Sequence, residues 1–315
     1  GDGREARELP ARDRRADVAH DLREVAVLGP HGDGPVRGTS HHHAFENGLA
    51  LEKSIGVNPF KYGVVGGGDI HTAIVSHEEF AFTGEHNLKS STPHARLLEG
   101  VPGEPSKIEQ GSAGLSCVWA EENTREAIYD AMARKETWAT SGTRIVVRVF
   151  GGFDFGNAKP GDREWARVGY RNGVPMGGDL KPDARKSAPR LMIAASKDPN
   201  SGNLDRIQVI KGWVDAAGKT HDRIYEVAWS GKRKIGSDGK LPAVGNTVDV
   251  KNASYTNTIG SPELATVWKD PDFDPAVPAF YYVRVLEIPT PRWSTYDAKA
   301  LGIDPPKDFP ATIQE

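Results

Sequence analysis

From Arg144 onward the chain alternates apolar and polar residues with a period of two, first in RIVVRVF and then in RLMIAAS, RIQVIKGWV, RIYEVAW and FYYVRVLEI. Successive side chains of a strand point to opposite faces, so this pattern fits half-buried strands and excludes long helices over most of that stretch. Turn formers separate the runs, among them Asp198-Pro199-Asn200-Ser201-Gly202 and Ala217-Gly218. Tight turns join antiparallel neighbours, because a parallel pair needs a long crossover. Residues 151–315 are therefore expected to form a mostly antiparallel, β-sandwich-like domain. Trp213, Trp229, Trp268 and Trp293 read as core or turn anchors rather than as a platform for stacking sugars.

Residues 44–150 read differently. In AFENGLALEKSIG the residues Phe45, Leu49 and Ile55 recur at helical spacing, and Gly56 is placed to end the helix. FKYGVVGGGD follows as an expected strand whose glycines permit a tight exit. Further on, LSCVW reads as a strand, and Asn123 with Glu126 resembles a capping box. Ala127, Ile128, Ala131 and Met132 form the expected buried stripe of the next helix. This order suits a portion of an α/β barrel. Between them, Ser91 to Gln110 holds Pro93, Pro102 and Pro105 without any period, which fits a long surface excursion of the kind that covers a site.

Residues 1–43 stand apart, with seven Arg and eight Asp or Glu but no Lys, Phe, Tyr or Trp. So little apolar material is expected to leave them disordered or loosely attached, apart from one marginal helix through Val18, Leu22, Val25 and Leu28. The run His41-His42-His43 reads as a solvated loop without function. A net charge of -3 and a pI near 6.4 offer no field for nucleic acid or an anionic membrane. Cys117 is the single cysteine and cannot form an internal disulfide. No apolar run of about 18 residues is present, nor an apolar segment after the first charges, so neither a spanning helix nor a signal peptide is expected. A soluble chain follows, its compartment open.

The chemistry concentrates at GVVGGGDIHTA, residues 63–73. Asp69 and His71 lie two apart, so in an extended segment both side chains can reach one ion. At the C-terminal end of a barrel strand such a pair is well placed for a metal; the plainer reading is a capping Asp and a His packed on a loop. HEEFAFTGEHN adds His77, Glu78, Glu79, Glu85 and His86, of which His77, Glu79 and His86 are expected as supplementary ligands; the competing reading is a charged surface loop. Asp270, Asp272 and Asp274 alternate but lack the glycine and the closing glutamate of a calcium loop, so a solvated turn is expected. Arg144, where the two regions meet, is either an anion contact or one half of a salt bridge.

Several strings carry a resemblance: NGLALEKSIGVNPFKYGVVGGGDIHT, VWAEENTREAIYDAMARKETWATSGTRI, SGNLDRIQVIKGWVDAAGKTHDRIYEVAWSG, VGNTVDV and AFYYVRVLEIPTPRWSTYDAKALGI. From about Asn47 onward they resemble the C-terminal half of the domain of unknown function 3604 family. That family is similar to the polymerase and histidinol phosphatase superfamily of metal-dependent phosphoesterases. The resemblance implies a distorted barrel and a divalent cofactor, zinc, manganese or iron. It implies that Asp69 and His71 are the last pair of ligands, and that the substrate is a small anionic ester of phosphate or related type. For full-length relatives it leaves a periplasmic or extracellular location open. The early H-x-H of that superfamily has no counterpart with an apolar strand before it in residues 1–43. The expectation is thus an incomplete centre, weakly active or inactive alone; the alternative is a non-catalytic β-sandwich binding module or a defective homologue.

Overall fold

The computed structural model describes residues 41–68, 70–71, 76–84, 92–98, 107–183 and 187–315. In chain order the helices and strands begin with α1 (His41–Ile55), α2 (Pro93–Leu97), β1 (Ser116–Val118), α3 (Arg125–Ala133), β2 (Thr137–Ala139) and β3 (Val146–Gly152). They continue with α4 (Trp165–Asn172), β4 (Gly173–Pro175), β5 (Arg190–Ser196), β6 (Leu204–Val214), β7 (Thr220–Trp229) and β8 (Glu263–Lys269). The last are β9 (Ala279–Glu287), β10 (Thr290–Pro291), α5 (Trp293–Leu301) and β11 (Thr312–Ile313). Two 3-10 turns, Glu79–Ala81 and Lys107–Glu109, flank α2.

All pairings are antiparallel: a sheet in the order β4-β3-β5-β8, a sheet β7-β6-β9, and the ribbons β1-β2 and β10-β11. The fold is mixed α/β, and among the described residues no sheet closes into a barrel. The two larger sheets share one apolar cluster. Ile145, Val147, Leu191 and Ile193 come from the first side, Leu204, Ile207 and Val209 from β6, with Trp268, Tyr281 and Val283 packed against them. Alternation explains this core, to which Val147 of β3, Leu191 and Ile193 of β5, and Ile207 and Val209 of β6 contribute, while Phe150 and Met192 belong to a second buried cluster. Of the expected anchors, Trp293 is buried, and Trp268 lies between Tyr225 and Tyr281.

The expected strands over RLMIAAS, RIQVIKGWV, RIYEVAW and FYYVRVLEI are present as β5, β6, β7 and β9. Other local expectations need correction. Helix α1 starts at His41, so the histidine run is helical rather than a loop; Gly56, at φ 76°, ends it as expected. Thr124, not Asn123, caps α3, its hydroxyl accepting from Ala127 N at 3.3 Å. Ala131 is buried there while Met132 is exposed, because the helix touches the body along a narrower stripe than the sequence suggests. Strand β8 and helices α4 and α5 were not expected.

In FKYGVVGGGD, residues 61–68 join no ladder. Among their carbonyls, Val64 O accepts from Thr137 Oγ1 at 2.9 Å, Gly66 O from Ser116 Oγ, and Gly67 O from the backbone N–H of Gly114 at 3.0 Å. Glycine makes this approach feasible: a Cβ on Gly66 would stand 2.6 Å from Leu115 O, and one on Gly114 2.2 Å from Thr140 O. The segment leading to residue 69 is therefore pinned, backbone against backbone, to the chain on either side of the β1-β2 ribbon.

Candidate functional site

The β1-β2 ribbon opens at one end into residues 140–144, and this loop reaches the body of the larger sheets. Asp198 Oδ2 accepts from Arg144 N at 2.8 Å and from Arg144 Nε at 3.2 Å, while its Oδ1 accepts from Asn200 N at 2.9 Å. Burial alone would raise the Asp198 pKa, but these donors outweigh it and hold the group below its usual value. Beside it, Thr143 and Ser201 donate to Glu287 at 3.3 and 2.9 Å, and Ser141 donates to Glu315. Residue 79 arrives from the first 3-10 turn, Glu79 Oε2 accepting from the backbone N–H of Trp293. In consequence a narrow cleft of about 40 Å³ is lined by Glu78, Glu79, Thr143, Asp198, Ser201 and Glu315, with Tyr255 and Tyr296 completing the wall.

Among the described residues, no lysine or arginine lines this cleft. Burial pushes Glu287 up to about 8 against the opposing hydroxyls of Ser201 and Thr143, with the Glu315 charge adding to the rise. Glu315 is pushed up to about 7, again by burial first, with repulsion from Glu79 behind it. Burial and nearby groups lift Tyr296 to about 12, which keeps its phenol neutral. These carboxyls hold protons near neutrality because no cation compensates them, and a bound cation would displace those protons. The volume admits an ion and a water rather than an ester.

The residues singled out in the sequence are only partly brought together here. Asp69 and His86 lie outside the described residues. His71 sits on an exposed turn. His77 is half-buried with Nε2 3.7 Å from Glu78 Oε1 and in no hydrogen bond, and Glu79 is buried with Oε1 unpartnered. Arg144 forms a salt bridge, its partner Asp198 facing the cleft while its own side chain is half exposed. Replacing Arg144 by alanine is expected to lower the melting temperature by about 2–4 °C, as suits an ion pair worth about 1 kcal/mol, and to leave any turnover unchanged. Lost turnover at unchanged stability would instead make Arg144 an anion contact.

The turn at Asp270 is not wholly solvated as expected: Asp270 is buried and takes a bond from Lys211 Nζ at 2.7 Å, while the exposed Asp272 takes one from Arg223 at 2.8 Å. Sequence reasoning missed Asp198, Ser201, Glu287 and Glu315, which are scattered between residues 198 and 315. The one available signal was Glu287, a carboxylate closing the apolar strand FYYVRVLEI where an exposed turn residue is the norm.

Architecture and site together define a mixed α/β protein whose antiparallel sheets carry a narrow, oxygen-rich cleft. The chain belongs to the family described as "Protein of unknown function (DUF3604)", which it matches over residues 1–315. No curated protein and no solved structure matches it.

Proposed function

We propose that this chain supplies the late ligands of a divalent-metal-dependent hydrolase of small anionic esters, of phosphate or related type. The observation that carries the reading is a pair of buried ligand atoms just downstream of the D-x-H segment, His77 Nε2 and Glu79 Oε1, neither of which has a hydrogen-bond partner among the described residues. A buried imidazole nitrogen and a buried carboxylate oxygen left unpaired are costly, and coordination is one way to satisfy them. Their donor types fit a first-row divalent ion, and the oxygen-rich cleft favours manganese over a softer choice.

On this reading, which extends the resemblance to the polymerase and histidinol phosphatase superfamily, residues 44–150 are the closing part of a distorted barrel. Residues 151–315 are then its sandwich-like companion, and the chain corresponds to the C-terminal half of the complete enzyme. Asp69 serves as a carboxylate ligand and His71 as a neutral imidazole ligand. The ion, when bound, supplies a water of lowered pKa and polarises the ester. Glu315 and Glu287, with pKa values near neutrality, are suited to hold and release a proton beside it.

Asp69 and His71 alone are too few for a catalytic ion, which takes three protein ligands with one position left for water. The chain by itself is expected to bind manganese weakly and to turn over an aryl phosphate ester slowly or not at all. Adding the ligand-bearing N-terminal half from a family member is expected to restore turnover, and Asp69→Ala or His71→Ala to abolish it again. Turnover indifferent to both substitutions would overturn the assignment, and a complemented protein that stays inert would favour a binding module.

A further inference from the structure

We propose that His42, Glu46 and Asp222 form a three-ligand divalent metal site of the zinc class between α1 and the β7-β6-β9 sheet. One ligand atom from each lies within 4.8 Å of the others, and His42 Nε2 is 3.5 Å from Glu46 Oε1. The spacing arises from the fold. His42 and Glu46 are four apart on α1, hence on one helical face, and α1 packs against β6 and β7. In the sheet, Asp222 pairs across to Gly212, and Gly212 to Phe280, so these three share one row and one face. A Cβ on Gly212 would stand 2.2 Å from the Phe280 ring, so the missing side chain lets that ring lie flat across β6 and leaves room for the helix above it. Phe280 and Tyr282 then hold the imidazole edge-on, with ring centroids 5.7 and 5.9 Å away.

Two further observations point to an ion. Glu46 is buried, yet among the described residues no lysine or arginine pairs with it, its ion-pair partner being His42. A buried carboxylate is ordinarily paired or metal-bound. Secondly, His42 Nδ1 lies 3.3 Å from the Tyr282 hydroxyl. A proton on Nδ1 directed at that oxygen leaves the Nε2 lone pair facing Glu46, the arrangement that orients an imidazole ligand from behind. Arg284, two residues beyond Tyr282 on β9, donates to Gln208 at 2.9 Å. Tetrahedral coordination at about 2.0 Å places ligand atoms about 3.3 Å apart, a contraction that the exposed Asp222 side chain can supply by rotation. Three protein ligands leave a fourth position for water or a second molecule's donor.

The test is titration of zinc, and of cobalt(II) followed by its visible absorption, into the full chain. The same titrations on Asp69→Ala/His71→Ala keep any signal from the D-x-H end separate. One saturable equivalent is expected in both. Asp222→Asn keeps every histidine and changes an exposed side chain, so the fold should persist while affinity falls about 100-fold or more; Tyr282→Phe, which removes only the orienting hydroxyl, should cost about 10-fold. Equal affinity in wild type and Asp222→Asn would overturn the site and assign the metal to the histidine run alone. Absence of saturable binding below about a millimolar would overturn it as well.

Discussion

Replacing Arg96 by alanine is expected to cost roughly 3–5 kcal/mol, the largest loss of any single change considered for this chain. Arg96 on α2 donates through Nε and a terminal nitrogen to the two oxygens of Asp297 on α5, both at 2.7 Å, and both residues are buried. A bidentate pair of this kind fixes direction as well as distance, so it clasps two helices that stand 201 positions apart in sequence. Removing only the guanidinium strands a carboxylate away from water, and that stranding is the source of the penalty. Denaturant unfolding should show a lowered midpoint at unchanged slope. Arg96→Met combined with Asp297→Leu should recover part of the loss, since an apolar pair of similar volume leaves no carboxylate stranded. A double variant no better than Arg96→Ala would mean the helices depend on the charges themselves.

The second large effect concerns Glu287. Burial pushes its carboxyl from the ordinary 4.5 up to about 8, so between these limits the native state holds a proton that the unfolded state has released. The stability associated with the neutral group is fully present below about pH 4.5 and is lost as pH rises through the native value. Glu315, raised to about 7, acts in the same direction over a narrower window. Glu287→Gln keeps a hydrogen-bonding group beside Ser201 and Thr143 but cannot ionise. The variant and wild type should melt together near pH 5 and separate at pH 8, the variant higher by about 10 °C if a few kcal/mol are involved. Manganese added at pH 8 should raise wild type more than the variant, because the ionised carboxylates then gain a partner. Parallel melting curves at both pH values would show that Glu287 ionises freely in the native state.

What the sequence made legible follows a physical division. Strands β5, β6, β7 and β9 announce themselves because alternation is a local property, written in consecutive residues. The segment before Asp69 was visible as an apolar run with glycines, but not its lack of a ladder, since the groups that satisfy it belong to Ser116 and Thr137. The cleft was invisible for the same reason at larger scale. Asp198 and Glu315 look ordinary among their neighbours, and only tertiary packing gathers them with Glu79 and Glu287. His42 and Glu46 held a readable i, i+4 signal, masked by placing the helix start after the histidine run; Asp222 could not have been joined to them without the sheet register.

The long-range ties of the 76–144 region also bear on how the chain is made. Glu79 bonds to the backbone of Trp293, Arg96 to Asp297, and Ser141 to Glu315. On a ribosome delivering residues one at a time, these early segments emerge with their partners still unsynthesised. They must wait, held open or sheltered, until the stretch beyond residue 290 has cleared the exit tunnel. Folding of this protein is therefore governed by arrival order, and a stalled or prematurely stopped chain would present its acidic loops and short helices without the segment that closes over them.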